Sequence, residues 1–485
     1  MSTTIPKALV VIASHGDKNL SYLKRIIETY RNMRSVEVSV TVLSNEPKDL
    51  GPGVKVVVEV PSKRPFALTF LHKPLLAEEA ENYDLFIYSE DDIEITERNI
   101  NAFLKATPLL KSDEIAGFFR YEIGPDGIYS YPDVLSYYHW KPETVRKSGP
   151  YTVAEFSNEH SACYLLTKLQ FRLALASDGF IRPMYEEGYD LACTAATDPY
   201  TSCGFRKVLL ISEFDDFLVR HLPDRYVAEG VGLSDPLFRE QIATLNAIRA
   251  GDLPTSRLLD TETRIYHRRW SKSYYEKPSE VLLNAVPGDA KTVLSIGAGS
   301  GEIESLLAER GLAVTALPLD SVIGAAAEKR GIEVIYGTLN EGLVALRGYT
   351  FDTVLVPNLL HLLPEPLEFI DRVAKLVAPG GTLLVAGVNL DFLPLALRRL
   401  KNPSYYRGID SYEKSGINIF RTSEIIDRIK ENGLAVVSLA RLNGDRRPRK
   451  ALRFAASNYL LAAKARPAVL LNHETFSVER KTVQL

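Results

Sequence analysis

Val293-Leu294-Ser295-Ile296-Gly297-Ala298-Gly299-Ser300-Gly301-Glu302 decides the fold of the second half of this chain. Four mostly apolar residues run into glycines at alternate positions, and Ile303, Leu306 and Leu307 follow at helical spacing. That order predicts a buried parallel strand, a tight turn and a helix N-terminus. Glycine suits such a turn because φ can be positive there and because a ligand can come close to backbone N–H groups. A glycine-rich turn alone is weak evidence of a ligand, and a plain strand-to-helix turn stays open as its other reading.

Working outward, Ala313 to Leu317 reads as the next strand, Val322 to Arg330 as a helix, Glu333 to Tyr336 as a short strand and Phe351 to Val356 as a fourth. An amphipathic helix then ends at Val377-Ala378-Pro379-Gly380-Gly381, and Thr382 to Ala386 is a fifth strand. The order resembles the class I S-adenosylmethionine-dependent methyltransferases, on Gly297-x-Gly299-x-Gly301, Phe351-Asp352 and Pro379-Gly380-Gly381, over roughly residues 264–467. The resemblance implies a Rossmann-like domain whose Gly297, Ala298, Gly299 and Gly301 hold S-adenosylmethionine. Tyr266 to Leu283, with Trp270 and Tyr274-Tyr275, resembles the N-terminal helix that covers the cofactor in such enzymes. Two positions depart from the family pattern. Pro318 stands where an acid binds the ribose, and Thr338 where an acid meets the adenine amine; Asp320 and Asn340, near the same strand ends, are the available substitutes. For O-methylation a base beside the acceptor hydroxyl helps. His361, just past the fourth strand, is the best-placed candidate, and it reads equally well as a packing histidine.

In the first half, Lys7 to Ala13, Val36 to Leu43 and Val54 to Val60 read as strands, with helices over Leu20 to Tyr30 and Phe66 to Glu81. Alternating β and α elements predict a second layered α/β domain. Ligands of such sheets bind beyond the carboxyl ends of the strands, which points to Ser14, His15, Ser44 and Asn45. Leu85-Phe86-Ile87-Tyr88-Ser89-Glu90-Asp91-Asp92 runs an apolar strand straight into three acids. Clustered carboxylates repel, so a cation is expected among them, a divalent metal being the usual one; a solvated acidic turn is the other reading. The placement resembles the Asp-x-Asp-type motif of GT-A-fold glycosyltransferases, which implies Mn²⁺ or Mg²⁺ held by Glu90 and Asp92 with His221 as a late third ligand; a lone histidine in an apolar setting reads equally as a structural one. By the same resemblance Glu187, with Asp190 next, would be the catalytic base, Asp215 and Asp216 being weaker competitors; both Glu187 and Asp190 read equally as ordinary helix-start acids. Tyr129 to Tyr131 and Tyr137 to Trp140 read either as platforms for acceptor sugars or as core. Asn158-Glu159-His160-Ser161 is a weak candidate for the acceptor side.

At 485 residues the chain is long enough for two or three domains. We divide it into a GT-A-like domain (1–235), a helical linker (236–257), a class I methyltransferase domain (258–470) and a tail (471–485). A net charge of −3 gives no general pull toward nucleic acid. Three cysteines without metal-like spacing favour a reducing compartment. The start of the chain lacks a signal-peptide pattern, and no apolar run approaches the ~20 residues of a membrane helix. A cytoplasmic protein is expected, and the basic run from Arg441 to Arg466 could rest on anionic lipid at the inner face of the membrane, hold an anionic glycan or be a solvated face. The domain pairing predicts a bifunctional enzyme that takes a nucleotide-sugar donor and a glycan or glycolipid acceptor, such as a surface polysaccharide, then O-methylates the product. Its rivals are a glycosyltransferase with a non-catalytic methyltransferase-like domain, and a methyltransferase with a non-catalytic glycan-binding domain.

Overall fold

The computed structural model describes residues 5–59, 64–186, 189–265, 268–389, 411–441 and 458–466. The N-terminal sheet is built from β1 (Lys7–Ser14), β2 (Glu37–Ser44), β3 (Val54–Val58), β4 (Leu85–Glu90) and β5 (Cys163–Thr167). Its order is β5-β4-β1-β2-β3, with β5 antiparallel to β4 and the other pairs parallel. Ala8 to Ala13 are buried throughout because both faces are covered, the usual reason a parallel strand is continuously apolar. One cover is α1 (Leu20–Arg31), which turns Leu23, Ile26, Ile27 and Tyr30 inward at three- and four-residue spacing. Register brings Ser14 opposite Ser44 and Ala13 opposite Glu90, so the ends of β1, β2 and β4 form one edge. The helix expected over 66–81 is instead a 3₁₀ segment, Pro65–Leu71, followed by a short α-helix, His72–Glu78.

Strand β6 (Leu218–His221) belongs to a smaller sheet, between Phe119–Ile123 and Ile93–Glu94. Before it comes α2 (Leu191–Thr201), and after it α3 (Asp235–Ala250), which Gly251 ends in the left-handed conformation at φ 88°. Phe238, Leu245 and Ile248 of α3 share an apolar cluster with Phe119, Trp140 and Val322, so the two halves of the chain pack on each other through this helix.

The C-terminal sheet consists of β7 (Thr292–Ala298), β8 (Ala313–Pro318), β9 (Glu333–Val334), β10 (Phe351–Pro357), β11 (Val377–Val388), β12 (Leu434–Arg441) and β13 (Asn458–Ala465). Its order is β9-β8-β7-β10-β11-β13-β12, and only β13 runs antiparallel to its neighbours. Helices α4 (Glu302–Glu309), α5 (Ser321–Lys329) and α6 (Leu339–Ala345) follow β7, β8 and β9. This is the Rossmann-like arrangement that the glycine turn predicts. No α-helix covers it where one was expected: among the described residues of 258–285 the only α-helix is Glu280–Ala285. Most of the basic run and the tail beyond 466 lie outside the described residues, and among those described no helix is long and apolar enough to cross a membrane.

Candidate functional site

Pairing of β6 with Ile93–Glu94 sets His221 opposite Ile93, and the Leu222 N–H donates to the Asp92 carbonyl at 3.0 Å. His221 Nε2 is thereby 3.5 Å from Asp92 Oδ2, while Nδ1 meets the Glu122 carboxylate on the neighbouring strand. Burial opposes a charge on this ring, but the bonds to Asp92 and Glu122 outweigh it and raise its pKa. Asn19 bridges the other acids, giving one N–H to Asp91 at 2.8 Å and another to Asp92 at 3.3 Å. Glu90 is pushed up to about 8, first by burial and then by the charge of Asp92. Arg120, paired in the interior with Asp133, works against that shift.

The structure therefore brings Asp92 and His221 together beside Glu90, but it corrects the expected metal triad. Among the described residues no three His, Cys, Asp or Glu side chains are placed to hold a metal ion. Glu122 occupies one ring nitrogen of His221, and the charge of Arg120 acts on Glu90. The buried Asp92 Oδ1, which has no partner, is the one observation on the side of a cation. Two donors are too few to hold a metal ion.

Several other candidates change role. Ser14 and Ser44 are buried; at this strand end Asn45 accepts from the Gly16 N–H at 2.7 Å, and the buried side chain of Lys48 reaches the Gly16 carbonyl. Asp190 caps α2, accepting from the Cys193 N–H at 2.9 Å, and its charge is felt at Glu90. Glu187 lies outside the described residues. Trp140 is core, donating to Gln241 at 3.1 Å, and His139 stacks on Tyr274 from the other half of the chain, so this aromatic run joins domains rather than meeting sugars. Sequence reasoning missed Asn19, Glu122 and Arg225. Arg225 lies over the Tyr226 ring at 4.5 Å and feels the charge of Asp92, an approach no local pattern announces. A cavity of about 320 Å³ opens by Tyr189; Glu159, Tyr185, Thr194, Thr197 and Arg268 are among its walls.

In the C-terminal domain Gly297 and Gly301 take φ of 82° and 78°, which explains glycine at both. At Gly299 the close approach is to the chain itself. A Cβ there would stand 2.5 Å from the Tyr274 carbonyl oxygen, which accepts from the Ser300 N–H at 2.7 Å. Gly299→Ala should accordingly cost about 1–3 kcal/mol, the range for overpacking, read as a lower thermal midpoint. Asp320 is buried and caps α5, one oxygen accepting from Val322 and Ile323 N–H at 2.8 and 2.9 Å. Its other oxygen is buried without a partner, and burial pushes the carboxyl up to about 7. Thr338 caps α6 in a reciprocal pair with Glu341, and Asn340 is exposed. His361 packs in the interior, the other role its sequence allows: it is 2% exposed, its Nε2 is 2.7 Å from the Trp270 carbonyl, its Nδ1 is buried without a hydrogen-bond partner, and burial lowers its pKa to about 4.

A family model described as a methyltransferase domain matches residues 267–439. The ubiquinone biosynthesis O-methyltransferase of Caulobacter vibrioides is 32% identical over 119 residues, 24% of this chain and 47% of that protein. The protein of the same name from Rhizobium etli (strain ATCC 51251) is 31% identical over 195 residues, 38% of this chain and 77% of its own length. The chain thus spans about half the length of the first of these relatives and more of the second. A solved O-methyltransferase family protein from Burkholderia thailandensis is 23% identical with a TM-score of 0.28, covering 37% of this chain and 52% of that one, a score too low to carry weight. Through its C-terminal domain the chain belongs to the class I S-adenosylmethionine-dependent methyltransferases.

Proposed function

We propose that this chain is a two-domain enzyme acting on glycans. Its C-terminal domain takes S-adenosylmethionine as cofactor and methylates a hydroxyl oxygen, and its N-terminal domain transfers a sugar from a nucleotide donor. The methyl-transfer half is supported by the family and by the O-methyltransferase names of its relatives. The sugar-transfer half is carried by one observation, the convergence of Asp92, His221 and Arg225 at the carboxyl edge of a β5-β4-β1-β2-β3 sheet.

Transfer from a nucleotide sugar leaves a diphosphate whose growing charge must be met. Arg225 and His221, whose pKa its carboxylate partners raise, are placed to meet it, and Asn45 and Lys48 border the same edge. Asp190, exposed at the start of α2 and near Glu90, is the carboxylate free to take the acceptor proton. The cavity beside Tyr189 has the volume of small-molecule sites, about 300–1,000 Å³, and its hydroxyls and aromatic rings suit a sugar acceptor.

S-adenosylmethionine would supply a methyl group already activated by its sulfonium. In this structure the space over Gly299 is filled by Tyr274 and that over Asp320 by Arg257.

The sugar-transfer reading is tested by thermal shift with UDP, GDP, dTDP and CMP. One of them, at roughly 100 times its Kd, should add about 2.7 kcal/mol of stability, and Asp92→Ala should remove most of that gain by freeing His221. Silence from all four nucleotides would sink the sugar-transfer reading and leave a methyltransferase alone.

A further inference from the structure

The surface of the C-terminal domain where a nucleoside is expected carries residues 256–259, where the linker runs into the domain. The Leu258 N–H donates to the Leu319 carbonyl just past β8, and the Leu339 N–H at the start of α6 donates to the Leu258 carbonyl, each at 2.9 Å. Arg257 makes an isolated bridge to Asp320, and Ser256 bonds to Ser321 through backbone and side chain. Leu258 and Tyr274 are buried in the same apolar cluster as Leu319, Ile323 and Leu343. Together with the Tyr274 carbonyl over Gly299, this segment covers the glycine turn, the end of β8 and the start of α6.

Two features set this apart from an ordinary core. Beneath the segment, Asp320 keeps one buried oxygen without a partner, next to Arg257 and Tyr274, as a carboxylate would if a hydroxyl-bearing ligand were its other occupant. The segment is also fastened to the N-terminal domain. Arg257 reaches His139 Nε2 at 2.6 Å and Glu143 at 3.6 Å. The Tyr274 N–H donates to the Ser136 carbonyl at 2.7 Å, and the Tyr274 ring lies 4.4 Å from that of His139, nearly parallel at 3°. Ser136 holds the left-handed conformation at φ 53°, costly for a residue other than glycine.

We infer that residues 256–259 with Tyr274 are a displaceable plug in the methyl-donor cleft, latched to the N-terminal domain through Arg257–His139 and Tyr274–Ser136. Nucleoside entry requires the plug to leave, so release of the latch tightens binding. The inference rests on the reading of S-adenosylmethionine as the cofactor of this domain.

The test is calorimetric titration of S-adenosylhomocysteine into the full chain, Arg257→Ala and His139→Ala, with hydrogen exchange followed at the Leu258 and Tyr274 amides. Arg257→Ala removes an interface side chain without opening the core, and His139→Ala provides a second route to the same release. Expected are at least tenfold tighter binding by the variants and faster exchange at both amides when the ligand saturates. Equal binding by all three proteins with both amides still protected overturns the plug and leaves the cofactor reading standing. Absence of binding in all three overturns both, and makes the segment a permanent part of a non-catalytic domain.

Discussion

Lys73→Met lowers the stability of the N-terminal domain by about 3–5 kcal/mol, the cost of leaving a buried charge without its partner. Lys73 Nζ pairs with Asp198 in the interior, the two side chains being 2% and 0% exposed. Asp198 sits on α2 and also accepts from the Tyr185 hydroxyl. With the ammonium gone, its carboxylate must either stay charged in an apolar setting or take a proton, and both disfavour the folded state. The double variant Lys73→Met, Asp198→Leu removes both charges and should recover most of the loss, because apolar replacements of whole buried pairs are often neutral or better. Urea midpoints of wild type, single and double variants check this. A single variant as stable as wild type would show the pair to be solvated. Since α2 also carries Thr194 and Thr197 and is capped by Asp190, the single variant should lose acceptor-side function together with stability.

Glu90→Gln flattens the dependence of stability on pH. The Glu90 carboxyl titrates at about 8 in the folded chain against an ordinary 4.5. Between these values the folded state holds a proton that the unfolded state has released. Stability from this group is therefore greatest at low pH, falls as pH rises through that window, and is fully lost above about 8. Asp320, raised from 3.8 to about 7, acts in the same direction. Glutamine keeps the shape and cannot ionise, so the variant should gain on wild type progressively from pH 5 to 8, and melting curves across that range measure it. A constant difference between the two proteins would show that Glu90 is not protonated at neutral pH.

The methyltransferase fold is legible because its signal is local: an apolar strand, glycines demanded by positive φ at 297 and 301, and a helix all fall within a few residues. The acidic strand end is legible for the same reason, since Glu90, Asp91 and Asp92 are consecutive. Roles set by distant neighbours are not. His361 looks like a base until Trp270 folds over it, and Tyr137 to Trp140 look like a sugar platform until Tyr274 and Gln241 arrive from far along the chain. Asp320 reads as a ligand position, yet it meets backbone N–H groups at a helix start, a use of aspartate as common as any in binding. The linker's path across Leu319 and Leu339 leaves no mark on the residues 256–259 themselves.

The place of β13 governs when the C-terminal domain can finish folding during synthesis. Among the described residues strand β12 pairs with no strand but β13, which comes after it in the chain and inserts between β11 and β12. Until residue 465 has cleared the ribosome, β11 presents an open edge of apolar residues, Leu383 to Ala386 among them, that invites pairing with other nascent chains. A stop codon just before Asn458 would therefore yield not a trimmed enzyme but an aggregate, a burden that falls on chaperones rather than on catalysis.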